Sequence, residues 1–203
     1  MRLRRALREK LCHAHVVTKN DQNDLPSAGG ELCEAVMSVS LIPDYVFNDY
    51  TAVTPAFLRD HGVRLLLSDL DYTLAPKAQA EPDENLLAWV RTLKDSGVTV
   101  EIISNNRSPV RVERFCKNLG IDYVGNAGKP GTRGLVEAMR KHGVCAAQTA
   151  MLGDKLLTDT LAAKRGGTLM LMVEPKDGPV GAWNHVLHAM QEPFKRACGQ
   201  DQR

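Results

Sequence analysis

The chain has 203 residues, 43% of them hydrophobic, enough for one domain with a substantial core and at most an extension beside it. A formal net charge of +2 argues against a dedicated nucleic-acid binder, which carries a concentrated basic surface. Five scattered cysteines without a C-x-x-C pair argue against zinc ribbons and disulfide frameworks and suit a reducing cytoplasm. No apolar run reaches the roughly 18 residues of a membrane span, and the basic start lacks the apolar core of a signal peptide.

Residues 1–36 differ in character from the remainder of the chain. Arg2, Arg4, Arg5, Arg8 and Lys10 make the start basic, and 18–30 is a Gly-, Asn- and Asp-rich stretch with little to bury. The segment reads as a disordered extension ahead of a single domain at 37–203. Two other readings stand beside it. One is a basic arm that touches anionic lipid. The other is an untranslated leader, since Glu34-Ala35 can be encoded with a purine-rich GAGG just before a start at Met37.

From Leu41 the pattern tightens. Leu41, Tyr45, Val46 and Phe47 form an apolar cluster expected to dock on the domain. Thr54-Pro55 pairs a cap with a first-turn proline, and Gly62 ends that short helix. A strand is expected at 63–69, then a helix at 83–96 whose apolar face is Leu86, Leu87, Trp89, Val90 and Leu93. Strands are expected again at 98–104, 121–124, 149–152 and 168–173. Helices alternate with them: one opened by Ser108-Pro109, then 132–142, 156–165 and a final one at 182–197 that Pro193 should kink or end. This alternation predicts an α/β fold, a doubly wound parallel sheet of about five strands covered by helices on both faces.

Chemistry gathers after each strand. The first ends in Asp69-Leu70-Asp71-Tyr72-Thr73, the second in Ser104-Asn105-Asn106. Gly128-Lys129-Pro130 comes after the third strand, and Gly153-Asp154 with Asp159 after the fourth. In a doubly wound sheet such loops share one edge. Carboxylates hold Mg²⁺ through hard oxygens, and a lysine, a hydroxyl and helix-start N–H groups offset phosphoryl charge. One carboxylate can attack phosphorus to give an aspartyl-phosphate, while a second protonates the leaving alkoxide and later activates water. Each residue has a plain alternative: a solvated lysine, a serine turn cap, acids in a helix first turn. Four together at successive strand ends point to phosphoryl transfer.

The same residues resemble the haloacid dehalogenase (HAD) phosphatase superfamily. Asp69-Leu-Asp71-Tyr-Thr73, Ser104, Lys129 and Gly153-Asp154…Asp159 match its four motifs, and from Leu41 the chain is similar to the YqeG type of subclass IIIA. Leu41-Ile-Pro-Asp-Tyr-Val, Thr54-Pro-Ala-Phe-Leu, Ser104-Asn-Asn-Arg and Gly153-Asp-Lys-Leu-Leu-Thr-Asp carry that likeness. The resemblance implies a Rossmann-like (HAD) three-layer fold and a Mg²⁺-dependent phosphatase. Asp69 would be nucleophile and metal ligand, and Asp71 general acid/base that lends its backbone carbonyl to the metal. Asp154 would be a metal ligand, and Asp159 a ligand or a support. Thr73, Ser104, Asn105 and Lys129 would bind the phosphoryl group. Tyr72 departs from the family, where a small polar residue is usual, and a phenol there should reshape the mouth of the site.

Neither the gap between Thr73 and Ser104 nor that between Ser104 and Lys129 has room for a cap domain, so the site should be open. An open site suits a large substrate, one presented at a surface, or cover by a second copy of the chain. It fits the lipid-phosphate activity of related mitochondrial phosphatidylglycerophosphate phosphatases, hence a cytoplasmic protein with a peripheral membrane role; a soluble phosphate or a phosphoprotein stands as the alternative. A receiver-like module also uses a phosphoaspartate, but needs no leaving-group acid at Asp71. A binding protein that lost its chemistry would not keep every reacting side chain. His13-Ala-His15 and His185…His188 have metal-like spacing but no evident acidic companions, and read as surface or packing residues.

Overall fold

The computed structural model describes residues 40–106, 109–176, 178, 182–199 and 201–202. The expectations for residues 1–36, for His13 and His15, and for Ser108 lie outside them.

Seven parallel strands form one sheet in the order β4-β3-β2-β5-β6-β1-β7. They are β1 (Tyr45–Phe47), β2 (Leu65–Ser68), β3 (Thr99–Ile103), β4 (Asp122–Val124), β5 (Thr149–Gly153), β6 (Leu169–Val173) and β7 (Asp201–Gln202). The helices are α1 (Pro55–Asp60), α2 (Glu84–Asp95), α3 (Pro109–Leu119), α4 (Arg133–His142), α5 (Leu161–Arg165) and α6 (Ala182–Arg196). The period of two in the strands sorts the core into two layers. Leu66, Leu152 and Leu171 pack with Leu58 of α1, Trp89 of α2 and Phe115 of α3. Leu65, Leu67, Met151 and Met170 pack on the other face with Leu135 of α4, Ala162 of α5 and Phe194 of α6. Helices on both faces of a parallel sheet make the doubly wound, three-layer fold. Among the described residues, only α2 lies between β2 and β3, and only α3 with β4 between β3 and Lys129, so neither gap carries a cap domain.

Local signals set the boundaries. Thr54 Oγ1 accepts from Phe57 N at 3.2 Å, and Asp83 Oδ1 from Leu86 N at 2.8 Å, closing the starts of α1 and α2. Gly143 ends α4 in the left-handed region, at φ 61°.

Two expectations need correction and a third is narrowed. The sheet has seven strands rather than about five, because Tyr45–Phe47 extends it, pairing Tyr45 with Leu171, and Asp201–Gln202 pairs alongside it. Three residues without alternation carry no local strand signature; their pairing on β6 makes them a strand. The helix expected at 156–165 begins as a π turn, Leu156–Thr160, before α5. Lastly, of the kink or end expected at Pro193, the end does not occur: α6 runs on to Arg196, close to the expected span of 182–197.

Candidate active site

The chain reverses its progress through the sheet between β2 and β5: β3 and β4 lie on one side of β2, while β5 and β6 lie on the other. Loops leaving the strand ends diverge there, opening a crevice. Asp69 comes directly after the last residue of β2, and Asp154 directly after the last of β5.

Asp69 is buried, and its Oδ1 accepts from Lys129 Nζ at 2.8 Å. The same ammonium pairs with Asp159 Oδ1 at 2.7 Å, so one buried lysine joins the loops after β2 and β5. Lys129 is itself set by Asn105, whose Oδ1 accepts from Lys129 N at 2.9 Å and whose Nδ2 donates to Lys129 O at 2.7 Å. Asn105 thus grips the peptide of the lysine. Ser104 is buried beside it, and its Oγ accepts from Asn106 N at 3.0 Å.

Asp71 leaves in another direction. The strand has ended at Ser68, so Asp69 and Asp71 no longer share a pleated face. Asp71 Oδ1 accepts from Arg111 Nη1, and Oδ2 from Asn106 Nδ2 at 3.1 Å. Its backbone carbonyl turns inward instead, 3.5 Å from Lys155 Nζ. Tyr72 makes this turn in the left-handed region, at φ 69°, costly for a bulky side chain. Thr73 is buried, and its hydroxyl donates to Asp154 Oδ1 at 3.2 Å, so it supports that acid.

The π turn serves Asp159. Its Oδ2 accepts from Lys155 N at 3.1 Å, and the residue is fully buried. A Cβ at position 153 would lie 2.5 Å from the Cβ and Cγ of Asp159, so only glycine lets the carboxylate lie against the end of β5. Short π segments recur where a functional side chain must be re-aimed.

Electrostatics separate the acids. Burial alone would push the Asp69 carboxyl up, but Lys129 and Lys155 outweigh it and hold it below the usual carboxylate range. Burial pushes Asp154 up to about 6 against the pull of Lys155, with Asp159 and Asp69 adding to the rise. Burial also raises Asp159, opposed by Lys129. Lys129 keeps its proton: burial works against it, and Asp159 and Asp69 more than restore it. Three crowded carboxylates beside two ammonium groups leave a surplus of negative charge.

Oxygens of Asp69, Asp154 and Asp159 lie within 4.8 Å of one another. Lys155 Nζ already sits at this donor set, 2.8 Å from Asp154 Oδ1 and 3.6 Å from Asp69 Oδ2, with the Asp71 carbonyl beyond. An ammonium thus stands among hard oxygens that suit a divalent cation such as Mg²⁺. Sequence reasoning gave no role to Lys155 or to Arg111. The first lies inside the Gly153–Asp159 string, where its neighbour in sequence drew the assignment; the second carries no local signal.

Among the described residues two other clusters have the composition of a cation site. Glu174 and Glu192 lie with His188, so the acidic companions that the sequence did not reveal do exist. Fully buried Lys195 fills that cluster, 2.6 Å from Glu174 and 3.0 Å from Glu192. Glu101, Asp122 and His142 form the other, around Lys141.

A family model described as a haloacid dehalogenase-like hydrolase matches residues 6–167. The chain is 31% identical over 146 residues to the probable phosphatase YqeG of Bacillus subtilis (strain 168), covering 70% of this chain and 84% of that protein. Among solved structures it is similar to the cobalt-bound deoxy-D-mannose-octulosonate 8-phosphate phosphatase YrbI of Haemophilus influenzae, at 24% identity and a TM-score of 0.43 over 55% of this chain and 69% of that one. It is also similar to the 3-deoxy-D-manno-octulosonate 8-phosphate phosphatase of Moraxella catarrhalis, solved with magnesium ion, phosphate ion and KDO. That likeness has 18% identity and a TM-score of 0.41 over 70% of this chain and 93% of the other.

Proposed function

The chain belongs to the haloacid dehalogenase-like hydrolase family and is a phosphatase of that family, and from this premise we propose that it cleaves a phosphomonoester through an aspartyl-phosphate on Asp69. The observation that carries this reading is the ionised, buried Asp69 held by Lys129 at 2.8 Å, with Asp71 on its own tether two residues on. Asp69 forms the new O–P bond as the ester O–P bond breaks, and Asp71 gives its proton to the departing alkoxide. Asp71 then takes a proton from water, whose oxygen displaces the Asp69 carboxylate and releases inorganic phosphate. To exchange that proton, Asp71 must loosen its contact with Arg111. Lys129 fixes Asp69 and offsets phosphoryl charge, Asn105 holds Lys129, and Ser104 lies at the end of the neighbouring strand for the phosphoryl oxygens. Asp69, Asp154 and the Asp71 carbonyl would hold Mg²⁺, with Thr73 and Asp159 supporting them. When bound, the ion supplies neutralisation of the phosphoryl charge.

The substrate reading is a lipid phosphate, with phosphatidylglycerophosphate the candidate that the YqeG-type resemblance implies. Support comes from an apolar groove of about 610 Å³ that runs from Tyr72, Asp154 and Lys155 between the π turn and α6, past Leu156, Leu187 and Phe194. Leu157 and Met190 line it while exposed, as a membrane-facing rim would require. Among the described residues no helix is long and apolar enough to cross a membrane, so the association is proposed as peripheral.

Asp69→Asn should lower Mg²⁺-dependent hydrolysis of an aryl phosphate by about 10⁴-fold or more with the fold intact. Unchanged turnover would remove Asp69 as nucleophile. A parallel assay of phosphatidylglycerophosphate in mixed micelles and of soluble sugar phosphates tests the substrate. Preference for the soluble esters would overturn the lipid reading alone.

A further inference from the structure

Lys155 is placed unlike an ordinary surface lysine. Its side chain is 43% exposed, so it enters from solvent, yet its ammonium reaches the Asp154 carboxylate, approaches that of Asp69, and lies 3.5 Å from the Asp71 carbonyl. Those are the oxygens that the proposed function gives to the metal. An ammonium and a divalent cation cannot share them, because like charges at such separations repel strongly even in a partly solvated site. From that same position the ammonium also faces an aromatic ring. Lys155 Nζ lies 5.7 Å from the centroid of the Tyr72 ring, at the mouth of the site.

We propose that Lys155 is the resident cation of this oxygen cradle: it occupies the cradle in the metal-free protein, leaves when a divalent ion enters, and thereby sets the metal affinity. The inference rests on the metal reading above. It also accounts for Tyr72, whose strained backbone holds a π face beside the lysine. A resident ammonium keeps three buried carboxylates from repelling one another before metal arrives, and it raises the metal concentration the enzyme requires. Because the lysine is tethered, its competition is independent of protein concentration.

Calorimetric titration of the full chain with Mg²⁺ tests this. Lys155→Gln should bind Mg²⁺ about tenfold more tightly than wild type, a coupling of ordinary size between competing ligands. Its thermal midpoint in EDTA should fall, and the rise on adding Mg²⁺ should grow. Lys155→Arg, which keeps the charge, should stay within about threefold of wild type. Lys117→Gln, the same charge change at an exposed lysine in the last turn of α3, should leave the affinity unchanged. Wild type alone supplies a second readout: Mg²⁺ should speed acetylation of the Lys155 amine, measured by peptide mass spectrometry. Equal or weaker binding by Lys155→Gln, an equal gain in Lys117→Gln, or acetylation indifferent to Mg²⁺ would each overturn the proposal. If wild type and Lys155→Gln both fail to bind Mg²⁺, the metal reading itself falls and takes this one with it.

Discussion

The Asp69–Asp154–Asp159 cluster and the Glu101–Asp122–His142 cluster contain similar side chains and end differently. Glu101 is fully buried in β3, yet both its oxygens are taken, one by Lys141 at 2.9 Å and the other by His142 at 2.7 Å. These two partners are adjacent in the last turn of α4, so one rigid element closes the cluster against the sheet. Lys141 also reaches Asp122 at 2.8 Å, on the largely exposed side. At the strand ends, three buried carboxylates meet one buried ammonium and one that enters from solvent. Position makes the difference. Glu101 lies within a strand laddered to β2 and β4, where helices can pack over the side chains. Asp69 and Asp154 lie just past the strands, where the connections part and a crevice opens beside buried side chains. Residue type alone therefore does not distinguish the two clusters; the incomplete neutralisation of buried charge does.

The largest expected effect strikes the strand-end cluster through its glycine. Gly153→Ala puts a Cβ into the Asp159 carboxylate, so about 2–4 kcal/mol of stability should be lost and hydrolysis should collapse as Asp159 leaves Lys129. A variant with wild-type Tm and turnover would show that Asp159 moves without consequence. Next comes the contrast in the Glu101 cluster. Glu101→Gln should cost about 2 kcal/mol in denaturant unfolding with kcat/KM unchanged, since it breaks a buried pair that touches no reacting group. A large loss of turnover at preserved stability would erase the distinction between the clusters.

The smallest effect is their opposite response to acid. Hydrogen bonding and charge from Lys141 hold Asp122 below its ordinary value of 3.8. Its contribution is therefore present above that pH and is lost as pH falls through the folded value. Asp154 moves from 3.8 up to about 6, so its native form binds the proton more tightly than the unfolded chain. Stability from this group is greatest below pH 3.8 and declines as pH rises to about 6. In EDTA, Asp154→Asn should therefore gain on wild type in thermal midpoint across that window, whereas Asp122→Asn should lose ground as pH rises toward 3.8 and run parallel to wild type above it. Parallel curves for Asp154→Asn and wild type would mean that the acid is not held at unfavourable charge.

By itself the sequence determined five of the seven strands, β2 to β6, the helices between them and the strand-end residues to which the proposed chemistry is given. Those are local matters: apolar residues at period two or 3.6, caps such as Thr54 and Asp83, and short strings of acids, amide and lysine that stay together wherever the chain goes. Tertiary structure decided the rest, because it concerns residues far apart in sequence. Tyr45–Phe47 becomes a strand only by lying on β6. Lys129 neutralises Asp69 from 60 positions away, and Arg111 takes Asp71 from 40. The π turn at Asp159 depends on the absence of a side chain at Gly153, which a periodic pattern does not encode. Lys155, too, has a role only once the ends of β2 and β5 stand side by side and leave one buried charge in excess.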